Sequence, residues 1–411
     1  MSFDRTGAEN APLAAAMFQT REIKQVEDAQ SISFEARLLY WNDVRDVNIS
    51  RDTAKLTLDL RKVIPAGVLR RAGLTGAAGM ASIALNGDRL ALLSQSGFLV
   101  VASVAEDKIV IEHSDFLWEE ESWEHDTMPI SIGRGDEPTL CWIGDSTILA
   151  LGDWRAQAGG SLGRGLFVVR RSGAGTVDWS LRERIDLAAR FAGVSHQRLF
   201  SLADEEAMLV FSSAEDHEPR GHLVFARVKQ SREGGETEPV DITYHAPSDQ
   251  EWFGHFNNLN AAPSARKSIQ LLNPYCLNMP VSEEHIEAGV IYTVGPKDSA
   301  LSERSIRLDV ESLGRGLDGI TADVQCVRIV DIWTDDSIAV VVMSVGDQIV
   351  IASGTFADDG TVAIEFAESL AKDHTPFAVL NASAAEATLL LAPTPALPNG
   401  GWVVRTVKLK K

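Results

Sequence analysis

ASIALNGDRLALLSQSGFLVVASVAEDKIVIEH, residues 81–113, reads as four short strands joined by tight connections. ASIAL, RLALLS, GFLVVASV and IVIEH are apolar runs rich in Val, Ile and Leu, each bounded by turn-forming residues, and that is the signature of strands rather than helix. Asn86-Gly87 between the first two is a strong hairpin signal, because Asn and Gly tolerate positive φ where a two-residue turn needs it.

The same plan recurs along the chain. A short polar turn between two apolar runs is found at QVEDAQSISF around Asp28, at ALNGDRLALL around Asp88 and at WIGDSTILAL around Asp145. It returns at SLADEEAMLV around Asp204, IWTDDSIAVVV around Asp335 and LNASAAEATLLL around Ala385. The steps are 60, 57, 59, 131 and 50 residues, and 131 is close to two steps with a degenerate copy between them. Gly-Thr-Val at 175–177 and 360–362 falls each time between the third and fourth strands of a copy. Two copies are irregular: the first, about Ile23–Leu60, and the one within 246–312, where only GVIYTV and SIRLDV read as strands. The best helical candidate is 62–80, weakened by Pro65 and four glycines.

A strand-and-turn repeat of this length resembles the β-propeller superfamily, one four-stranded blade per period, over most of the chain. The resemblance implies an all-β fold: a single β-propeller domain over 1–411, with seven four-stranded blades, or six and an N-terminal extension. The last copy, PFAVL, ATLLLA and GWVVRTVKL, stops after three strands. An open sheet edge there is unfavourable, so closure by pairing of the N- and C-terminal strands is expected, with residues 12–19 as donor. No specific family matches. Trp-Asp is absent, Gly221-His222 and Gly254-His255 lie in expected loops, paired kelch glycines are missing, and SGAGTVDW has Ala174 where a sialidase Asp-box has aspartate. No family's active site is therefore carried over.

Composition narrows the function classes. The chain is 45% hydrophobic and 23% charged, enough for a large core. No apolar run reaches the roughly 18–20 residues that span a bilayer, and the N-terminus lacks a basic start before its short apolar patch. Neither membrane insertion nor export is expected, and the setting expected is cytoplasmic. Three cysteines, 141, 276 and 326, match no zinc spacing. A net charge of −20 opposes nucleic-acid binding.

The long insertions collect on one side of the expected blades. Turns between strands one and two, and three and four, are short. The connections between strands two and three, and between blades, hold 114–137, 153–164, 214–221, 245–266, 273–288 and 392–400. All nine histidines lie in or beside that group. Long loops of this kind usually carry function. The candidate binding residues are Trp118, Trp123, His125, Arg134, Trp154, Arg164, His217, His222, Trp252, His255 and Arg315. DFLWEEESWEHDTMP, 115–129, sets two tryptophans among six acids. SLGRGL occurs twice, at 161–166 and 312–317, and reads as a glycine turn presenting arginine to an anion. No catalytic motif or metal spacing is present, and no cofactor is expected. The reading is a non-catalytic platform binding another protein through the long-loop face. A propeller hydrolase or lactonase, and a carbohydrate or small-anion binder, are the alternatives.

Overall fold

The computed structural model describes residues 2–4, 13–26, 29–41, 47–48, 56–65, 81–94, 97–105, 108–117, 130–132, 140–155, 162–172, 178–203, 206–213, 222–230, 240–245, 260–264, 268–272, 277–278, 284–294, 301–318, 326–335, 337–370, 374–393 and 403–409. The chain divides into two compact units. One is Met1–Thr6, Pro12–Tyr40 and Ala54–Phe253, and the other is Gly7–Ala11, Trp41–Thr53 and Gly254–Lys411.

The first unit holds four sheets. β1 (Ser2–Asp4), β2 (Leu13–Val26), β3 (Ala29–Trp41) and β5 (Leu56–Pro65) pair in that order, while β4 (Val47–Asn48) pairs elsewhere. β6 (Ala81–Asn86), β7 (Arg89–Ser94), β8 (Phe98–Ala105) and β9 (Lys108–Phe116) form an antiparallel meander on the stretch quoted first above. β10 (Ile130–Ile132) and β11 (Leu140–Ile143) both pair with β12 (Thr147–Arg155), which continues to β13 (Leu162–Ser172) and β14 (Asp178–Asp186). β15 (Ser195–Ala203), β16 (Glu206–Ser213), β17 (His222–Gln230) and β18 (Val240–His245) complete the unit.

In the second unit, β19 (Asn260–Ser264), β20 (Ser268–Leu272), β22 (His285–Val294) and β23 (Leu301–Asp309) form one meander. α1 (Val310–Leu317) follows, and then β24 (Cys326–Thr334), β25 (Ile338–Val345), β26 (Gln348–Phe356) and β27 (Thr361–Ser369) form another, with β21 (Leu277–Asn278) on β24. Parallel pairing of Arg307 with Thr361 and Leu308 with Val362 joins the two into a nine-stranded sheet. β28 (His374–Ala382), β29 (Glu386–Pro393) and β30 (Val403–Lys408) make the last sheet, with β4 as its fourth strand.

The cores explain why the strands read as unbroken apolar runs. In β12, Ile148 and Ala150 pack into the apolar layer shared with β6–β9, while Leu149 and Leu151 pack into the layer shared with β15–β18. β25 does the same, with Ala339, Val341, Met343 and Val345 on one side and Val340 and Val342 on the other. Alternation persists, but both faces are buried, so both phases are apolar. Within each unit, antiparallel meanders stacked face to face in this way have the form of β-propeller blades. Leu90 and Leu92 are wholly buried.

Polar ties between sheets supplement the apolar layers. The indole N–H of Trp142 donates to the Ala84 carbonyl (3.1 Å). Asn86 Nδ2 donates to the Gly144 carbonyl (2.9 Å), and Arg89 to the Asp145 carbonyl (2.9 Å), linking neighbouring hairpin turns. In the second unit, buried Asp331 accepts from the Ile332 N–H (2.9 Å) and, across to β28, from the Val379 N–H (2.7 Å).

Several expectations are corrected. Among the described residues, the strands do not form seven separate four-stranded blades. Hydrogen bonding sorts the strands into five blade-sized sheets of four or five strands and one sheet of nine. The donor to the last sheet is β4, through Val403 with Asn48 and Val404 with Val47, whereas residues 13–19 belong to β2 in a different sheet. Residues 62–65 of the helical candidate are strand β5, and 66–80 lie outside the described residues. In the β6–β7 hairpin the central pair is Gly87-Asp88, one residue beyond Asn86-Gly87, because Asn86 pairs with Arg89. No helix among the described residues is long and apolar enough to cross a membrane.

Candidate functional site

Several meanders have two unlike ends. At one end, the strand-one to strand-two turns span two residues between β6 and β7, three between β11 and β12, and three between β28 and β29. At the other end, the connections span eight residues between β16 and β17, nine between β29 and β30, and fourteen between β18 and β19. The division predicted from sequence has exceptions. Nine residues separate β17 from β18 on the plain end, and Gly346-Asp347 alone joins β25 to β26 on the other.

Histidines mark the elaborated end. His222, His285 and His374 open β17, β22 and β28, His196 is the second residue of β15, and His245 closes β18. Each is therefore at the strand end that meets the long connections of its own sheet. His113 lies inside β9, its Nδ1 3.4 Å from a carboxylate oxygen of Asp178.

Around β18 this edge carries an aromatic and cationic cluster. Arg190, in the link from β14 to β15, is exposed and places its guanidinium 4.1 Å from the Tyr244 ring centroid. Phe191 packs on Phe211 (5.1 Å) and Tyr244 (5.2 Å). Burial pushes the Tyr244 phenol above its ordinary value, with the Arg190 charge opposing. The link is held in place by Ser213 Oγ donating to the Ala192 carbonyl (2.8 Å). The sequence reading did not single out Arg190 or Tyr244. The signal was an eight-residue inter-sheet link, 187–194, with arginine beside phenylalanine.

Of the candidates named from sequence, Trp118, Trp123, His125, Arg134, His217, Trp252 and His255 lie outside the described residues. Trp154 is not on a loop. It stands in β12, 8% exposed, edge-on to Phe167 at 5.1 Å and against Gly163. The first SLGRGL is not a turn either, since 162–166 is the start of β13, paired with β12 throughout and with β14 from Gly165 onward. Arg164 makes a bidentate pair with Asp153 (2.7 and 3.0 Å) and donates to the Val194 carbonyl (2.7 Å). Its hydrogen bond to Asp153 raises the guanidinium's affinity for its proton, against a smaller opposing effect of burial. These bonds spend its planar donor set inside the protein.

The second SLGRGL is helical. Asp309 caps α1 by accepting from the Ser312 N–H (2.8 Å), and Ser312 Oγ in turn accepts from the Ile364 N–H (2.9 Å). Arg315 is exposed, with Glu311 at 3.8 Å one turn away. The Ser312 N–H holds the Asp309 carboxyl below the usual range, helped by the charges of His285 and Arg315. Among the described residues, no group of three or more His, Cys, Asp and Glu stands together as a metal site requires.

No family model matches the chain, and no curated protein matches it. Solved structures do. YCF48 from Cyanidioschyzon merolae is 10% identical with a TM-score of 0.37, covering 100% of this chain and 98% of its own. The Cps50 (Swd1) β-propeller domain of Myceliophteria thermophila is 6% identical with a TM-score of 0.41, covering 96% and 100%. Sqt1 of Saccharomyces cerevisiae is 10% identical with a TM-score of 0.33, covering 99% and 100%. No residue's role is carried over from any of them.

Proposed function

We propose that the protein is a non-catalytic platform that binds a partner protein through the ends of its sheets where the long connections emerge. The observation that carries this reading is positional. Histidines 196, 222, 245, 285 and 374 and the Arg190–Phe191–Tyr244 cluster all stand at that end of their own sheets. Arginine and aromatic residues are the side chains most enriched where proteins recognise one another. Sheets stacked through apolar layers supply a rigid support for such loops, which lowers the ordering cost of binding. The part of the tryptophan-and-acid insertion that follows β9, 117–129 with Trp118 and Trp123, belongs to the same set of connections by its place in sequence between β9 and β10.

The test is substitution of Trp118 and Trp123 by alanine, followed by affinity capture of the native partner and a thermal melt. Reduced capture at unchanged Tm is the expected result. Unchanged capture removes the 115–129 insertion from the reading.

A further inference from the structure

Arginines in this protein are mostly spent internally. Arg164 and Arg227 each bind a carboxylate, of Asp153 and Glu206. Arg304 lies over the Phe356 ring at 3.7 Å, and its Nη2 donates to the Ala357 carbonyl. Arg190 is different. It is exposed and stacked on Tyr244, and among the described residues no carboxylate or carbonyl accepts from its guanidinium. The chain has 58 acidic residues against 38 basic ones, so acids are not scarce. Those nearest in sequence are engaged or turned away. Asp186 accepts from the Arg164 and Ala188 N–H groups (3.2 and 3.0 Å). Asp241, three residues from Tyr244 on β18, lies on the opposite face of the sheet.

The position of Arg190 is fixed by its own link. Leu187 and Val194 are buried at the two ends of that link. Between them the Arg190 and Phe191 N–H groups donate to the Leu187 carbonyl (3.0 and 2.8 Å). Stacking on a ring uses the flat face of a guanidinium and leaves its in-plane N–H edge free, and that edge matches the two oxygens of a carboxylate. Tyr244 keeps its phenolic proton, chiefly through burial, and no described acceptor takes it. Charge then selects among anions. One guanidinium balances one negative charge, whereas a phosphate group carries close to two at neutral pH, and a chain of net charge −20 disfavours the excess.

We propose that Arg190, backed by Tyr244, receives a carboxylate of the partner protein. This rests on the loop-face reading for the existence of a partner and adds the group the partner presents. The carboxylate belongs to an acidic side chain or to a chain end.

Two probes separate those sources: N-acetylglutamate α-amide for a side chain and N-acetylglycine for a chain end. Each is titrated into the full chain while the arginine Nε–H resonances are followed by NMR, against sodium chloride at equal ionic strength. Arg190→Lys identifies the Arg190 signal by its loss. A saturating shift with at least one probe and none with chloride is expected, and the tighter probe names the source. An unmoved signal, an equal shift with chloride, or tighter binding of inorganic phosphate overturns the proposal. In capture of the native partner, Arg190→Ala should weaken binding roughly tenfold with little change in Tm. Arg190→Lys should restore little, because an ammonium lacks the planar fork. Capture unchanged in Arg190→Ala also overturns the proposal, and it leaves the test of Trp118 and Trp123 untouched.

Discussion

Gly163 and Gly314 hold the same place in two copies of one hexapeptide, yet their surroundings are opposite. A Cβ on Gly163 would lie 2.3 Å from the Trp154 indole, which is itself wedged against Phe167. A Cβ on Gly314 would meet nothing within 4 Å. Gly163→Ala should therefore destabilise the protein by about 1–3 kcal/mol through overpacking. Gly314→Ala should stabilise it by roughly 0.5–1 kcal/mol, since alanine favours helix over glycine. Urea-unfolding midpoints of the two variants should move in opposite directions. Movement in the same direction would remove the close packing of Trp154 from the account. At this scale the sequence showed that glycine was present twice. The reason for each glycine became visible only with its neighbours.

Elements differ in how much of their structure is local. Gly-Asp occupies the hairpin turns at 87–88, 144–145 and 346–347, with glycine φ of 59°, 57° and 56°. That dipeptide between apolar runs is a local signal, so these hairpins were readable in advance. α1 was not. Its SLGRGL matches the opening of β13 letter for letter, and two glycines weaken any helix. The cap Asp309, the bond from Ile364 to Ser312 Oγ, and buried Leu313 and Leu317 decide the helix. In β13 the same letters lead into FVV, which suits a strand, and pair with β12 and β14. The cap has a pH signature. The Asp309 carboxyl is held below its ordinary value in the folded state, first by the Ser312 N–H. Its stabilising effect is therefore complete above the unfolded-state pKa of roughly 3.9 and fades as pH falls through the lower folded value. The stability advantage of wild type over Asp309→Asn should be flat from neutral pH down to about pH 5 and shrink below it. An advantage independent of pH would show that the charge on Asp309 does not contribute.

For the whole molecule, charge is the property that sequence alone supplies. At −20 the net charge favours mutual repulsion between copies of the chain at neutral pH. Near its isoelectric point, about 4.9, that repulsion vanishes. Light scattering should rise towards this pH in wild type, and added salt at neutral pH should also raise it by screening. Scattering indifferent to both would mean that net charge does not govern its solubility. Blade count is the opposite case. The repeat spacing predicts equal, separate sheets, but it cannot show that β23 and β27 pair in parallel and merge two of them. Nor does it show that β4 completes the last sheet.

The alternation of apolar runs with short polar turns determined strand content, the antiparallel meander and the plain end of most sheets. Those features depend on residues close together in the chain, through turn geometry and period-two burial. Tertiary structure decided the fate of SLGRGL, the burial of Trp154, the commitment of Arg164 to Asp153, and the exposed apolar edge of β9. Each of these is set by groups far along the chain or by which described strands lie beside it. A local pattern has no means of encoding which distant surface will cover it.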